Sequence, residues 1–107
     1  MFSLGCGKIF EGTYEQMFTS LNKLKNLPSD TMIYCGHEYT LQNSKFCIKH
    51  DPKNLNLQNK IKSIKEKIDN NKPTIPTNLG DELECNIFLR AKNVESFTKL
   101  RDLKDNF

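Results

Sequence analysis

A histidine stands where an apolar run ends, in Met32-Ile33-Tyr34-Cys35-Gly36-His37-Glu38-Tyr39-Thr40. Gly36 lets the backbone turn sharply, which puts His37 at a strand's end, where side chains commonly face a site and not a core. A neutral imidazole there is the commonest protein ligand for a metal ion. One histidine cannot hold a catalytic zinc, which normally takes three protein ligands. Cys35, His37, Cys47 and His50 offer Cys/His pairs in the manner of a zinc finger, but their mixed spacing is atypical and Cys35 lies in an expected strand. Gly7-Lys8 faintly suggests a phosphate-cradling loop. No glycine stands five residues before Gly7, and Ile9 replaces the serine or threonine, so that reading fails. The lysines of 60–67 read as a solvated helix face, because no RNA-binding motif or aromatic platform accompanies them.

These residues need elements to position them. Phe2 to Leu4 read as a short strand running into the turn Gly5-Cys6-Gly7. Thr13 is the expected cap of a helix, with Gln16 completing a capping box. Tyr14, Met17, Phe18, Leu21, Leu24 and Leu27 keep helical spacing until Pro28 closes the element. Residues 31–35 form the next strand, a buried apolar run, and the order strand, helix, strand predicts neighbours in one sheet. Beyond His37 the pattern is helical. Helices are expected over 40–49 and 54–69, the second with Leu57, Ile61, Ile64 and Ile68 as one buried stripe. Asn70 to Pro76 make a stiff connector. Asn78 caps a short helix over 79–85, and Asn93 caps a last one with Phe97, Leu100 and Leu103 inward.

With 107 residues the chain makes one modest core. Its hydrophobic content of 36% and charged content of 27% fit a folded chain at the polar end of the range. The net charge of +3 argues only weakly for a polyanion and suits a small anionic ligand equally well. No apolar run reaches the length of a membrane span. Four cysteines without a secreted framework suggest reduced thiols in a cytoplasmic setting. Two or three strands alone make a poor sheet with open edges, through which self-association is possible. A chain that opens at once on a strand is expected to be part of a larger protein.

Several stretches together carry a resemblance. Gly5-Cys6-Gly7-Lys8-Ile9-Phe10-Glu11-Gly12-Thr13 resembles the GCGKFYEGT of glyoxalase II, the hydroxyacylglutathione hydrolases. Leu27-Pro28-Ser29-Asp30-Thr31, followed by Tyr34 to Thr40, is similar to that family's LPxDTxxYCGHEYT. Pro73-Thr74-Ile75-Pro76-Thr77 resembles its PTVPST, and Arg101-Asp102-Leu103-Lys104-Asp105 its closing RxxKD. Asn86-Ile87-Phe88-Leu89-Arg90 is similar to its NPFLR, with Ile87 in place of proline. The matches run in order from Phe2 to Phe107.

The resemblance implies an α+β fold. Residues 1–39 would be the C-terminal piece of a metallo-β-lactamase αββα sandwich (two or three strands and a helix), and residues 40–107 a small helical glutathione-binding domain. The implied activity is hydrolysis of the thioester of S-lactoylglutathione to glutathione and a 2-hydroxy acid, by a hydroxide bridging two zinc or iron ions. His37 would be a metal ligand beside the substrate. Lys8, Phe10, Tyr39, Arg101 and Lys104 would meet the glutathione moiety. Phe10 stands where many members carry a tyrosine, so its ring packs but a hydroxyl bond is lost. Arg101 and Lys104, three apart on one helical face, would hold the glycine carboxylate. The family's HxHxDH motif, middle histidine and bridging aspartate are absent. That aspartate would lie just before the position of Met1. The chain is thus expected to be inactive alone. The alternative is a shortened, non-catalytic module that binds glutathione or a partner protein. Neither nucleic acid nor a membrane is an expected partner.

Overall fold

Side-chain caps start four of the five helices among the described residues, all but the one that begins at Thr40. The computed structural model describes residues 1–6, 12–35 and 39–107. Lys8, Phe10 and His37 lie outside these residues. The first helix, α1 (Tyr14–Lys25), opens on the expected capping box. Thr13 Oγ1 accepts from Gln16 N at 3.1 Å, and Gln16 Oε1 accepts from Thr13 N at 3.0 Å. A two-residue strand β1 (Met32–Ile33) follows, then α2 (Thr40–His50), one residue longer than expected. Asn54 caps α3 (Leu55–Asp69) by accepting from Leu57 N at 3.2 Å. Strand β2 (Thr77–Asn78) leads into α4 (Leu79–Cys85), capped by Asn78, and α5 (Val94–Asp105), capped by Asn93. All three asparagine caps satisfy an otherwise orphaned N–H.

The chain is therefore helix-dominant, with one antiparallel two-stranded sheet among the described residues. Two expectations about the strands are corrected. Phe2 to Leu4 do not form a strand but a tight turn. Phe2 and Gly5 exchange backbone hydrogen bonds at 3.1 Å, and Leu4 takes a left-handed φ of 58°. Consequently β1 does not pair with the N-terminal segment. It pairs with β2 in the register Met32↔Asn78 and Ile33↔Thr77. The run 32–35 is also not buried throughout, since Met32 and Tyr34 face out at 49% and 77% exposure. Among the described residues β1 pairs with β2 alone.

The core is organised by three phenylalanines. Phe46 of α2 stacks on Phe88 at 5.9 Å, and Phe88 meets Phe97 of α5 edge-on at 6.0 Å. Phe18 brings α1 onto Phe97 at 5.8 Å. Leu57, Leu79 and Leu89 fill the space around them, each almost fully buried. The stretch Asn86 to Leu89 is core throughout, so this family-like motif shapes the interior. Stripe ends depart from expectation: Leu24, Leu27, Ile68 and Leu103 are exposed, each lying at or beyond the last turns of its helix. Leu57 and Ile64 are the buried centre of the α3 stripe, which packs against α2 and α4. Among the described residues, no helix is long and apolar enough to cross a membrane.

Candidate functional site

The turn at residues 2–6 is held by side chains from far along the chain. Asn43 Nδ2 donates to Ser3 O at 3.1 Å, and Cys47 Sγ donates to Leu4 O at 3.0 Å. Asn86 Nδ2 donates to Gly5 O at 3.1 Å, and Arg101 Nη1 to Cys6 O at 2.6 Å. Four consecutive carbonyls of an irregular segment are thereby satisfied, as buried backbone requires. The turn so fixed forms one wall of a cleft of about 210 Å³. Phe2 and Cys6 come from this wall. Tyr39, Gln42 and Asn43 come from the start of α2, and Arg101 and Lys104 from α5. The Phe2 and Tyr39 rings, both in its lining, meet edge-on at 5.1 Å.

Of the sequence-expected site residues, three meet here: Tyr39, Arg101 and Lys104. Their side chains are placed differently. Tyr39 is 46% exposed. Lys104 is half-buried, with Nζ 5.8 Å from the centre of the Phe46 ring and 5.7 Å from that of Phe107. Arg101 is buried at 4% exposure. Its Nε and Nη2 donate to Asp105 Oδ1 at 3.2 and 2.9 Å, and Nη1 to Cys6 O, while the guanidinium lies 5.4 Å from the Phe88 ring centre. So Arg101 is a structural fork as well as a charge in the cleft wall. Periodicity placed it on the same helical face as Lys104, but three of its N–H groups are committed to the protein.

Burial pushes the Cys6 thiol up, an effect that the Arg101 guanidinium 3.6 Å away partly offsets. A thiol in that condition is a poor nucleophile. Two members of the zinc-finger set, Cys47 and His50, are engaged elsewhere. Cys47 is buried against Leu4, its thiol pushed up to about 12 by burial, and His50 lies on the Phe46 ring at 4.5 Å. Among the described residues no three His, Cys, Asp or Glu side chains are grouped to hold a metal ion. These residues therefore do not fit a binuclear centre. A wider groove of about 620 Å³ runs along α5, but Glu95, Lys99 and Asp102 set opposite charges side by side there.

Sequence reasoning missed Gln42 and Asn43, and above all Glu82, a fully buried carboxylate behind the turn. Nothing local marks Glu82. It follows Asp81 in the first turn of α4, where acids ordinarily complement the helix dipole from solvent.

The chain is similar to known proteins along its whole length. A family model described as "Hydroxyacylglutathione hydrolase C-terminus" matches residues 38–107. A protein of Pelagibacter ubique (strain HTCC1062) named hydroxyacylglutathione hydrolase is 68% identical over 107 residues, covering 100% of this chain and 45% of its own length. One of the same name from Prochlorococcus marinus (strain MIT 9301) is 52% identical, over 98% of this chain and 43% of its own. Another from Rhodopseudomonas palustris (strain BisB18) is 44% identical, over 98% and 47%. The chain thus spans a little under half the length of these relatives. The match covers the end of the chain that carries Tyr39, Arg101 and Lys104, and the chain belongs to the hydroxyacylglutathione hydrolase C-terminus family.

Proposed function

We propose that this chain is the glutathione-recognising part of a hydroxyacylglutathione hydrolase, the enzyme that cleaves the thioester of S-lactoylglutathione to glutathione and a 2-hydroxy acid. In this reading residues 40–107 are a helical glutathione-binding domain, and residues 1–39 belong to a metallo-β-lactamase sandwich. The observation that carries it is the cleft. Tyr39 from the start of α2, and Arg101 and Lys104 from α5, line one small concave site. Glutathione is a tripeptide with two carboxylates. Lys104 acts on its glycine carboxylate as a mobile point charge, and Arg101 as a fixed one, pre-oriented by Asp105 and Cys6 O. Tyr39 lines the cleft two residues after His37 in the chain. Lys8 and Phe10, shortly beyond Cys6, complete the set.

The family chemistry is that of a zinc or iron pair activating water, for which His37 is this chain's one candidate ligand. We therefore assign the isolated chain binding of the thioester and not its hydrolysis. The cytoplasm is the proposed compartment, consistent with Cys6, Cys47 and Cys85 as buried free thiols.

Calorimetric titration of the 107-residue chain with glutathione tests the reading. Binding is expected, weakened about tenfold in Lys104→Ala, the loss of one charge-assisted contact of roughly 1.4 kcal/mol. No heat at millimolar ligand, or equal affinity in Lys104→Ala, refutes it.

A further inference from the structure

Glu82 lies on α4, outside the cleft, with its side chain fully buried. Burying a carboxylate is costly unless it is well hydrogen-bonded. Here it accepts four bonds. Oε1 takes Leu4 N at 2.7 Å and Asn86 Nδ2 at 3.2 Å, while Oε2 takes Ser3 Oγ at 3.0 Å and Thr77 Oγ1 at 2.9 Å. Lys60 Nζ stands 4.0 Å from Oε2 and donates to Thr77 Oγ1 at 2.9 Å. Two of the four donors thus belong to the turn at residues 2–6, and Asn86 links the carboxylate to Gly5 O of the same turn. That turn needs holding. Leu4 sits at φ 58°, a conformation L-residues with side chains resist. The cleft side of the turn is held by Asn43 and Arg101, which line the cleft themselves. Glu82, Asn86 and Cys47, which do not line the cleft, also hold the turn.

We propose that Glu82 is a positioning residue for glutathione recognition. Through Leu4 N and Ser3 Oγ it fixes the turn that brings Phe2 and Cys6 to the cleft and from which the chain runs on to Lys8. The proposal rests on the reading of the cleft as a glutathione site. It distinguishes Glu82 from a merely stabilising group, because its effect is local to the turn and appears in ligand affinity.

The test uses the 107-residue chain with Glu82→Leu, Glu82→Gln and Ser3→Ala. Glutathione affinity is measured by calorimetry, and residue-resolved amide exchange by NMR. Glu82→Leu is expected to weaken glutathione binding at least tenfold. Leu4 and Gly5 amides should exchange at least tenfold faster, while amides within α3 keep their wild-type rates. Glu82→Gln is expected to restore both within about threefold. Its amide oxygen can still serve Leu4 N and Asn86, and the Ser3 and Thr77 hydroxyls can rotate to accept from its NH2. Unchanged affinity in a folded Glu82→Leu protein overturns the proposal, as does equal acceleration of the turn and α3 amides. If Glu82→Leu does not fold, Ser3→Ala decides. Affinity weakened about threefold with α3 protection intact supports the role, and unchanged affinity overturns it. A wild-type chain that binds no glutathione overturns the glutathione reading and this proposal together. Wild-type binding that survives Glu82→Leu overturns this proposal alone.

Discussion

Arg101 and Lys104 look alike in sequence, yet their truncation should have very different consequences for stability. Arg101→Ala removes the donor to Cys6 O, a buried carbonyl, at about 1–3 kcal/mol. Asp105 is 24% exposed on its side chain and rehydrates when the ion pair is lost, so that pair adds at most about 1 kcal/mol. The contact with the Phe88 ring adds about 0.5–1 kcal/mol. The sum is about 3 kcal/mol, a fall in Tm of about 12 °C for a domain of this size. Lys104 is half-buried, and its two ring contacts, at 5.8 and 5.7 Å, contribute about 0.5 kcal/mol. Lys104→Ala should therefore lower Tm by about 2 °C. Arg101→Lys keeps the charge but not the fork and should fall between them. Thermal unfolding followed by far-ultraviolet circular dichroism, with urea titrations for the free energies, measures all three. Equal shifts for Arg101→Ala and Lys104→Ala would refute the structural assignment of Arg101 and leave it an ordinary surface cation.

The remaining predictions concern the elements behind the cleft. Asn93 accepts from Ser96 N at 2.8 Å at the start of the helix that carries both cations, so Asn93→Ala should cost about 1 kcal/mol in urea unfolding. Asn93→Gly should recover most of that, and a fully neutral Asn93→Ala would remove the cap from the account. Alkaline stability should depend on Cys47. Its thiol titrates near 9.0 when unfolded and at about 12 when folded, because burial disfavours the thiolate. Below pH 9 both states hold the proton, so its contribution is fully present. Between about pH 9 and pH 12 only the unfolded state gives it up, and stability falls by about 1.4 kcal/mol per pH unit from this group. Cys85, pushed up to about 11, acts in the same sense. Cys47→Ala should flatten the alkaline limb of a stability-versus-pH curve, and identical limbs would show that the thiol does not titrate as described.

What the sequence made legible follows the range of each interaction. The Thr13–Gln16 box and the caps at Asn78 and Asn93 are closed within three residues, and each stands where residue type and spacing put it. The turn at residues 2–6 has no such signature. Three apolar-leaning residues there read as a strand, but their conformation is dictated by donors and acceptors at positions 43, 47, 82, 86 and 101. The β1–β2 pairing escaped for the same reason, since each strand is two residues long and its partner lies far along the chain. Arg101 shows the division within one side chain. Its helical face was readable from its spacing to Lys104, but the commitment of its guanidinium to Asp105 and Cys6 O was only half local. The cleft is made almost wholly of such distant contacts. A sequence pattern could therefore put Arg101 and Lys104 on one helical face, but it could not separate the half-buried lysine from the arginine bonded to Cys6 O and Asp105, nor see the carboxylate of Glu82 behind the turn.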